Sequence, residues 1–205
     1  MTEIAQEELE GSNVRPVPPE GEDEPADRER EVEEEPFDED AETRAPGQVR
    51  KLSERGAEFI ARFEGCRLQL YNDPAGHCTI GIGHLVHHGR CNGSEPAEFK
   101  RGITLERAFE LLEEDAAEVV AAMRRRIKVA LTQPRFDALC SWGFNCGAGV
   151  FATSTLVRKL NAGDYASVRS ELARWDKAGN PPRPLPGLTR RRKAEGRLFA
   201  EGKYQ

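Results

Sequence analysis

The first 50 residues carry a density of charge that limits where this chain of 205 residues can build a core. They contain 18 acidic side chains, five arginines and no lysine, a net charge of -13, with prolines and glycines scattered among them. Such a stretch has no periodic apolar face, and it buries too little apolar surface to offset the conformational entropy that folding removes. The sequence therefore predicts a disordered acidic tail over residues 1–50 and a folded domain over residues 51–205.

The domain has the opposite charge, with 25 basic and 18 acidic side chains and a net charge of +7. A body of this sign favours anionic partners, because positive charge raises their rate of encounter. The acidic tail can shield this body or inhibit it within the same chain. It can equally be a solubilising extension or a targeting signal that another protein recognises.

The start of the chain and its cysteines indicate where the protein is made. The sequence MTEIAQEELE is acidic, whereas a secretory signal begins with basic residues and continues as an apolar run. Since no run of 18 apolar residues occurs either, we expect synthesis in the cytoplasm and no stable insertion into a membrane. The five cysteines form an odd set without a repeated Cys-x-x-Cys, which favours reduced thiols, although Cys78 with Cys91 or Cys140 with Cys146 could pair after export.

Helical periodicity begins just after residue 50. Ser53 is placed to cap a helix with apolar residues at helical spacing, and Gly65 follows as a stop. Residues 68–86, LQLYNDPAGHCTIGIGHLV, then change to short strand-forming runs around the turn NDPAG. This change predicts a β-hairpin.

The helical period returns at Thr104, which caps a long helix, and persists almost to the end of the chain. The sequence GNPPRPLPG at residues 179–187 interrupts it and predicts a loop. Further helices are predicted over 133–145, 154–160, 164–175 and 189–200. The fold class is therefore α+β and mainly α-helical, with a small antiparallel β-hairpin lobe, a larger helical lobe and a groove between them as the natural site.

Three chemically capable side chains lie close together around the hairpin. Glu64 ends the first predicted helix, Asp73 lies in the turn and Thr79 in the strand that follows. Cleavage of a glycosidic bond needs a protonated acid beside the leaving oxygen and a second group that stabilises the oxocarbenium-like state or activates water. A carboxyl group at a helix end can be desolvated and protonated, while one in a polar turn stays ionised. Glu64 and Asp73 fit these roles, and the Thr79 hydroxyl can hold the attacking water.

In this region the chain closely resembles the phage-type lysozymes, the endolysins of glycoside hydrolase family 24. Their catalytic motif is a Glu, eight residues, an Asp, five residues and a Thr, which Glu64, Asp73 and Thr79 match without a gap. The resemblance continues through GIGH and covers about residues 51–202. Further matching segments are FNCGAG at 144–149, STLVRKLNAGDY at 154–165 and PGLTRRRKAEGRLF at 186–199.

The resemblance implies a lysozyme-like fold and a monomeric enzyme that hydrolyses the β-1,4 bond between N-acetylmuramic acid and N-acetylglucosamine in peptidoglycan, and so lyses bacterial cell walls. Glu64 would be the general acid, with Asp73 and Thr79 positioning and activating water. No cofactor is implied. The family usually relies on a separate pore-forming holin, which would let the enzyme pass from the cytoplasm to the wall.

The resemblance also implies roles for residues around the groove. Leu85, Phe144 and Thr155 fall at positions that line the sugar groove in the family, although Leu85 and Phe144 lie in apolar runs that equally predict core residues. His84 is expected to form a buried ion pair with Asp115 on the long helix, which would tie the two lobes together.

A metal site is the first alternative use of these residues. All four histidines lie within residues 77–88, flanked by Cys78 and Cys91, and nitrogen and sulfur ligands at such spacing can hold zinc. However, His77 and His84 fall at opposite strand parity and should face opposite ways. We therefore expect no metal.

Three other function classes are less well supported. The basic tract TRRRK at residues 189–193 raises nucleic-acid binding, but interleaved aromatic residues and a recognised motif are missing. A lytic transglycosylase would cleave the same bond without water and needs mainly the acid, so the presence of Asp73 and Thr79 favours hydrolysis. A catalytically inactive wall-binding module is disfavoured because all three catalytic positions are present.

Overall fold

A computed structural model describes residues 14–21 and 51–204 of the chain. Most of the predicted acidic tail, residues 1–13 and 22–50, therefore lies outside the described residues. Residues 14–21, here called the N-terminal segment, contain no helix or strand and lie against the folded domain, where the Val17 N–H donates to Lys177 O at 2.7 Å. The division into a disordered tail and a domain stays a prediction, with this one segment of the tail in contact with the domain.

Helices make up most of the described domain, and local sequence signals determine where the first two begin. The Ser53 side chain accepts a hydrogen bond from the Gly56 N–H, and Thr104 accepts one from the Arg107 N–H, so both predicted caps are confirmed. No described helix is both long and apolar enough to cross a membrane. The helices are α1 (Glu54–Glu64), α2 (Leu105–Arg126), α3 (Gln133–Cys146), α4 (Val150–Thr153), α5 (Thr155–Asn161), α6 (Val168–Ala173) and α7 (Pro186–Glu201).

The small lobe has one strand more than the predicted hairpin. Strands β1 (Arg67–Asn72), β2 (Cys78–Gly81) and β3 (His84–His87) form an antiparallel sheet in the order β1-β2-β3. The expected mainly α-helical α+β fold is present. The predicted turn joins β1 to β2, and β2 is the predicted strand that follows it.

The prediction of a plain loop over residues 179–187 is wrong in part. A second, two-stranded ladder pairs β4 (Lys177–Ala178) with β5 (Arg183–Pro184). Proline is tolerated in so short a ladder, because an edge strand leaves room for a residue without an N–H donor. This ladder fixes Lys177 against the N-terminal segment.

The core is built around α3, which is buried over most of its length. Trp142 packs edge-on against Phe151 and Trp175, each with its ring centroid 5.3 Å away. Helices α1 and α7 both pack on α3. The C-terminal end of α1 therefore meets α7 beside α3, and this junction carries the candidate site.

Candidate active site

Glu64 is the last residue of α1 and faces the last helix. Gly65 follows with φ of 73°, a left-handed conformation that glycine adopts without strain and that ends the helix at this point, as predicted. The Glu64 side chain is 10% exposed, and Arg191 Nη1 donates to its Oε1 at 2.6 Å. A nearly buried carboxyl group between the lobes thus has a fixed cationic partner.

Arg191 connects this carboxyl group to a buried polar network. The side chain lies fully buried on α7, with Nε 3.2 Å from Glu195 Oε1 and Nη2 donating to Ser141 O at 3.2 Å. Burial alone would lower the pKa of Arg191, but the Glu64 and Glu195 carboxylates raise it above its ordinary value. The guanidinium therefore stays charged and makes a charge-assisted hydrogen bond to the Glu64 carboxyl group.

Glu195 also binds Arg192, which extends the network to the end of α3. Arg192 Nε lies 2.8 Å from Glu195 Oε2, and its Nη2 donates to Asn145 Oδ1 at 3.0 Å. Ser141 Oγ donates to Glu195 Oε1 at 2.7 Å. Polar contacts consequently run without a break from Glu64 through α7 to Asn145.

Asp73 and Thr79 are held by the same backbone unit on the other lobe. Asp73 lies in the β1–β2 turn, where its Oδ1 accepts the His77 N–H at 2.8 Å. Thr79 is buried in β2 and its hydroxyl donates to His77 O at 3.2 Å. Because both side chains are fixed to His77, their relative position depends on the turn rather than on free rotation.

The carboxylates of Glu64 and Asp73 both influence the side chain of Tyr71. It lies opposite Thr79 in the β1–β2 ladder. Burial raises the pKa of Tyr71; Arg67 opposes this shift, and the Asp73 and Glu64 carboxylates add to it. Glu64, Asp73 and the hydroxyl of Thr79, which lies opposite Tyr71, are therefore all within electrostatic or packing reach of this one side chain.

Comparison with known proteins agrees with this geometry: the family model described as Phage lysozyme matches residues 61–195. The chain belongs to the phage lysozyme family. It is 45% identical over 150 residues to an endolysin of Acyrthosiphon pisum secondary endosymbiont phage 1, which covers 72% of this chain and 97% of the relative. As a phage lysozyme, the chain is a glycoside hydrolase.

Solved structures of phage lysozymes confirm the lysozyme-like fold. An endolysin from Escherichia coli O157:H7 phage FAHEc1 matches with a TM-score of 0.66 and 32% identity, covering 76% of this chain and 96% of that one. A mutant of P22 lysozyme matches with a TM-score of 0.63 and 38% identity, covering 74% and 99%.

The three residues assigned to the sugar groove of this phage lysozyme occupy different environments. Leu85 lies in β3 opposite Thr79 and is 43% exposed, so the core interpretation of Leu85 is wrong. Phe144 is half-buried near the end of α3 and packs against the core. Thr155 is half-buried at the start of α5. Their binding roles stay predictions.

His84 and Asp115 form the expected contact, but the pair is less buried than predicted. His84 Nδ1 lies 3.0 and 3.1 Å from the two carboxylate oxygens of Asp115. The side chains are 20% and 32% exposed, because β3 and α2 meet at the rim of the small lobe. The hydrogen bond to Asp115 raises the pKa of His84 despite partial burial.

The cysteines of the hairpin correct the expectation of reduced thiols. Cys78 and Cys91 form a disulfide, since the loop after β3 returns Cys91 to β2 with a Cα–Cα distance of 4.8 Å. Cys140 and Cys146 are free and buried, and burial raises the pKa of both thiols. The sequence could not choose between the two pairings.

The same disulfide bears on the zinc alternative. Cys78, His87 and Glu95 place potential ligand atoms within 4.8 Å of one another. The Cys78 sulfur is already bonded to Cys91, and the Glu95 carboxylate accepts N–H groups of Asn92 at 2.6 Å and Gly93 at 2.9 Å. This group therefore supports the loop and does not offer a set of free ligands.

Arg191 and Asn145 are the site residues that sequence reasoning missed. In the sequence, the tract that contains Arg191 raises only the nucleic-acid alternative. One signal pointed to a buried role, because Leu188, Arg191, Glu195 and Leu198 share a helical stripe with apolar ends. A charged pair four residues apart on such a stripe indicates a buried ion pair.

Proposed function

We propose that this phage lysozyme is a peptidoglycan hydrolase of the N-acetylmuramidase type, which cleaves the β-1,4 bond between N-acetylmuramic acid and N-acetylglucosamine. Relatives named endolysin support action on the cell wall. The observation that supports the proposal is the pairing of Glu64 with Arg191, beside a turn in which the His77 backbone fixes both Asp73 and Thr79. The net charge of +7 over residues 51–205 suits an anionic wall.

The proposed mechanism gives each group one task. Glu64 protonates the leaving oxygen, and Arg191 then stabilises the carboxylate that remains. Asp73 stabilises the developing oxocarbenium-like charge and accepts a proton from the water as its oxygen bonds to the anomeric carbon. The Thr79 hydroxyl uses its proton on His77 O, so its lone pairs accept a hydrogen bond from the same water.

The central test replaces Glu64 by Gln. Gln keeps the shape of the side chain but has no transferable proton, so we expect turnover on purified peptidoglycan to fall at least about 10²- to 10⁴-fold. Glu58→Gln, an exposed position on the same helix, is the matched control and should leave turnover unchanged. Near-normal turnover by a Glu64→Gln protein with an unaltered melting temperature would refute the assignment.

Product chemistry separates the hydrolase from the transglycosylase alternative. If Asp73 and Thr79 hold the attacking water, digestion in heavy-oxygen water should produce ordinary reducing ends that carry the heavy oxygen. A transglycosylase would instead leave unlabelled anhydro-muramic ends, and mass spectrometry distinguishes the two. Asp73→Asn, which removes the charge and keeps the size, should lower turnover by roughly two orders of magnitude. Predominantly anhydro products would overturn the roles proposed for Asp73 and Thr79.

We further propose that the enzyme acts as a monomer outside the cytoplasm after a separate holin has opened a route. The Cys78–Cys91 disulfide supports work in an oxidising compartment, because thiols of this kind stay reduced in the cytoplasm. No cofactor and no nucleic acid are required by the proposed chemistry.

A further inference from the structure

The N-terminal segment docks on the helical lobe at the C-terminal end of α3, directly after Phe144, which is predicted to line the sugar groove. Arg15 Nε donates to Cys146 O at 3.2 Å, and Val14 O accepts Asn145 Nδ2 at 3.3 Å. Both partners lie at the C-terminal end of α3. The Arg15 guanidinium occupies space that is open because Gly147 has no side chain: a Cβ there would stand 2.8 Å from Arg15 Nη2.

The rest of the N-terminal segment continues along the β4–β5 ladder. The Val17 N–H donates to Lys177 O at 2.7 Å, and Glu20 O accepts Arg174 Nη2 at 3.0 Å. Pro16 is buried. Prolines at positions 16, 18 and 19 favour an extended chain before docking, which lowers the entropy lost on binding.

This surface adjoins the support of the catalytic acid. Asn145, which binds Val14, is the same residue that accepts from Arg192 at 3.0 Å. Arg192 and Arg191 share Glu195, and Arg191 binds Glu64. The segment therefore lies on the helical lobe at the far end of the polar network that begins at Glu64.

We infer that residues 14–21 are an intramolecular competitor of the wall substrate, which must be displaced before a glycan strand can occupy the helical side of the cleft. The inference rests on the proposed function, since it takes the competing ligand to be peptidoglycan. The 29 residues between Gly21 and Lys51 span up to about 100 Å when extended, so the chain easily reaches its docking surface. Such a tether holds its ligand at an effective concentration in the millimolar range.

Competition by docking differs from shielding by charge. Three of the four hydrogen bonds above join a backbone group of the segment to the domain, and the segment carries one positive and one negative side chain. Screening by salt therefore weakens this inhibition little, whereas it would abolish shielding by the acidic tail.

The decisive variant is Val17→Pro in the full chain. Proline removes the N–H that Lys177 O accepts, changes no charge and keeps the extended conformation. Val32→Pro, the same exchange elsewhere in the tail, is the matched control. Arg15→Gln and its control Arg28→Gln form a second pair with equal charge changes. Melting temperatures verify that all four proteins are folded.

Binding is measured by sedimentation with purified peptidoglycan in a Glu64→Gln background, so that it does not depend on turnover. We expect Val17→Pro and Arg15→Gln to bind walls about 3- to 10-fold more tightly than their controls, at both low and high salt. A synthetic peptide of residues 12–22 should reverse the gain at roughly millimolar concentration.

The outcomes separate the inference from the proposed function. Equal wall binding by the variants and their controls would overturn the competitor role, whatever the activity. Tighter binding by the variants would support the competitor role. If the chain that retains Glu64 nevertheless released no new sugar ends, the muramidase assignment would be rejected while the competitor role stood.

Discussion

Arg191 is the residue on which the candidate site depends most. Its guanidinium meets Glu64, Glu195 and the carbonyl of Ser141 at once, which a planar fork of donors can do and a single ammonium group cannot. We therefore expect the residue to serve both the fold and the proposed chemistry. Its two roles can be separated by a substitution that keeps the charge.

Arg191→Lys should lower turnover about 10- to 100-fold, because the lysine cannot hold Glu64 while it satisfies Glu195. The free energy of unfolding should fall by about 1–3 kcal/mol, the cost of leaving buried polar groups without partners. Turnover on peptidoglycan and urea unfolding measure the two effects. Arg190→Lys, at an exposed position beside it, is the control and should change neither. Full activity in Arg191→Lys would contradict the role proposed for the planar donors of the guanidinium group.

The proposed catalytic residues can be picked out from the sequence more easily than the residues that contact them. Glu64, Asp73 and Thr79 lie within 16 residues of one another, so a local motif is enough to find them. Arg191 is 127 residues away from Glu64, and Asn145 joins the site only through Arg192. Contacts at such separation depend on how helices pack, which periodicity does not specify.

At the scale of elements, the contact between His84 and Asp115 joins β3 to α2. The hydrogen bond from Asp115 raises the pKa of His84. A histidine with a raised pKa stabilises the fold fully below its unfolded pKa of about 6.5, and this contribution is lost as pH rises through the folded pKa. The small lobe should therefore be tied more firmly to the helical lobe in acid than in base.

Asp115→Asn should reduce the free energy of unfolding by about 0.5–1 kcal/mol at pH 5.5 and by much less at pH 9. The value is smaller than that of a buried pair because both side chains are partly exposed. Urea unfolding across this pH range measures it. Glu118→Gln, an exposed position on the same helix, should show no such pH dependence. An effect of Asp115→Asn that is equal at both pH values would exclude the ion pair as its cause.

The elements that sequence predicts best are those with local start and stop signals. Ser53, Thr104 and Gly65 act within one turn of their helices, and all three predictions are confirmed. The β4–β5 ladder escaped prediction because proline-rich runs lack strand periodicity. The predicted helix over 164–175 is shorter, Val168–Ala173, since residues 164–167 form a turn in which Asp164 Oδ1 accepts the Ser167 N–H at 3.0 Å.

For the whole molecule, we expect the opposed charges of its two parts to affect the rate at which it associates with an anionic cell wall. Residues 1–50 carry -13 and the remainder +7. Charges that are exposed interact over about 30 Å at 0.01 M salt and about 8 Å at 0.15 M. The acidic tail should therefore slow association at low salt in a way that physiological salt largely removes.

Replacing Glu31, Glu33, Glu34 and Glu35 by Gln should speed association with peptidoglycan several-fold at 0.01 M salt and little at 0.15 M. Stopped-flow light scattering measures the rate. Val17→Pro, which keeps every charge, is the comparison, because its gain should persist at both salt concentrations. If the faster association of the four-Gln variant did not depend on salt concentration, the tail would not act through its charge.

The position of the two partners of the central ion pair also sets an order in time. Glu64 lies in the first helix and Arg191 in the last, 127 residues later. At a synthesis rate of about 5–20 residues per second, roughly 6–25 s pass between the appearance of the one and that of the other. A growing chain thus contains Glu64, Asp73 and Thr79 while Arg191 has not yet been synthesised. The ion pair that holds Glu64 can therefore form only after α7 has emerged from the ribosome.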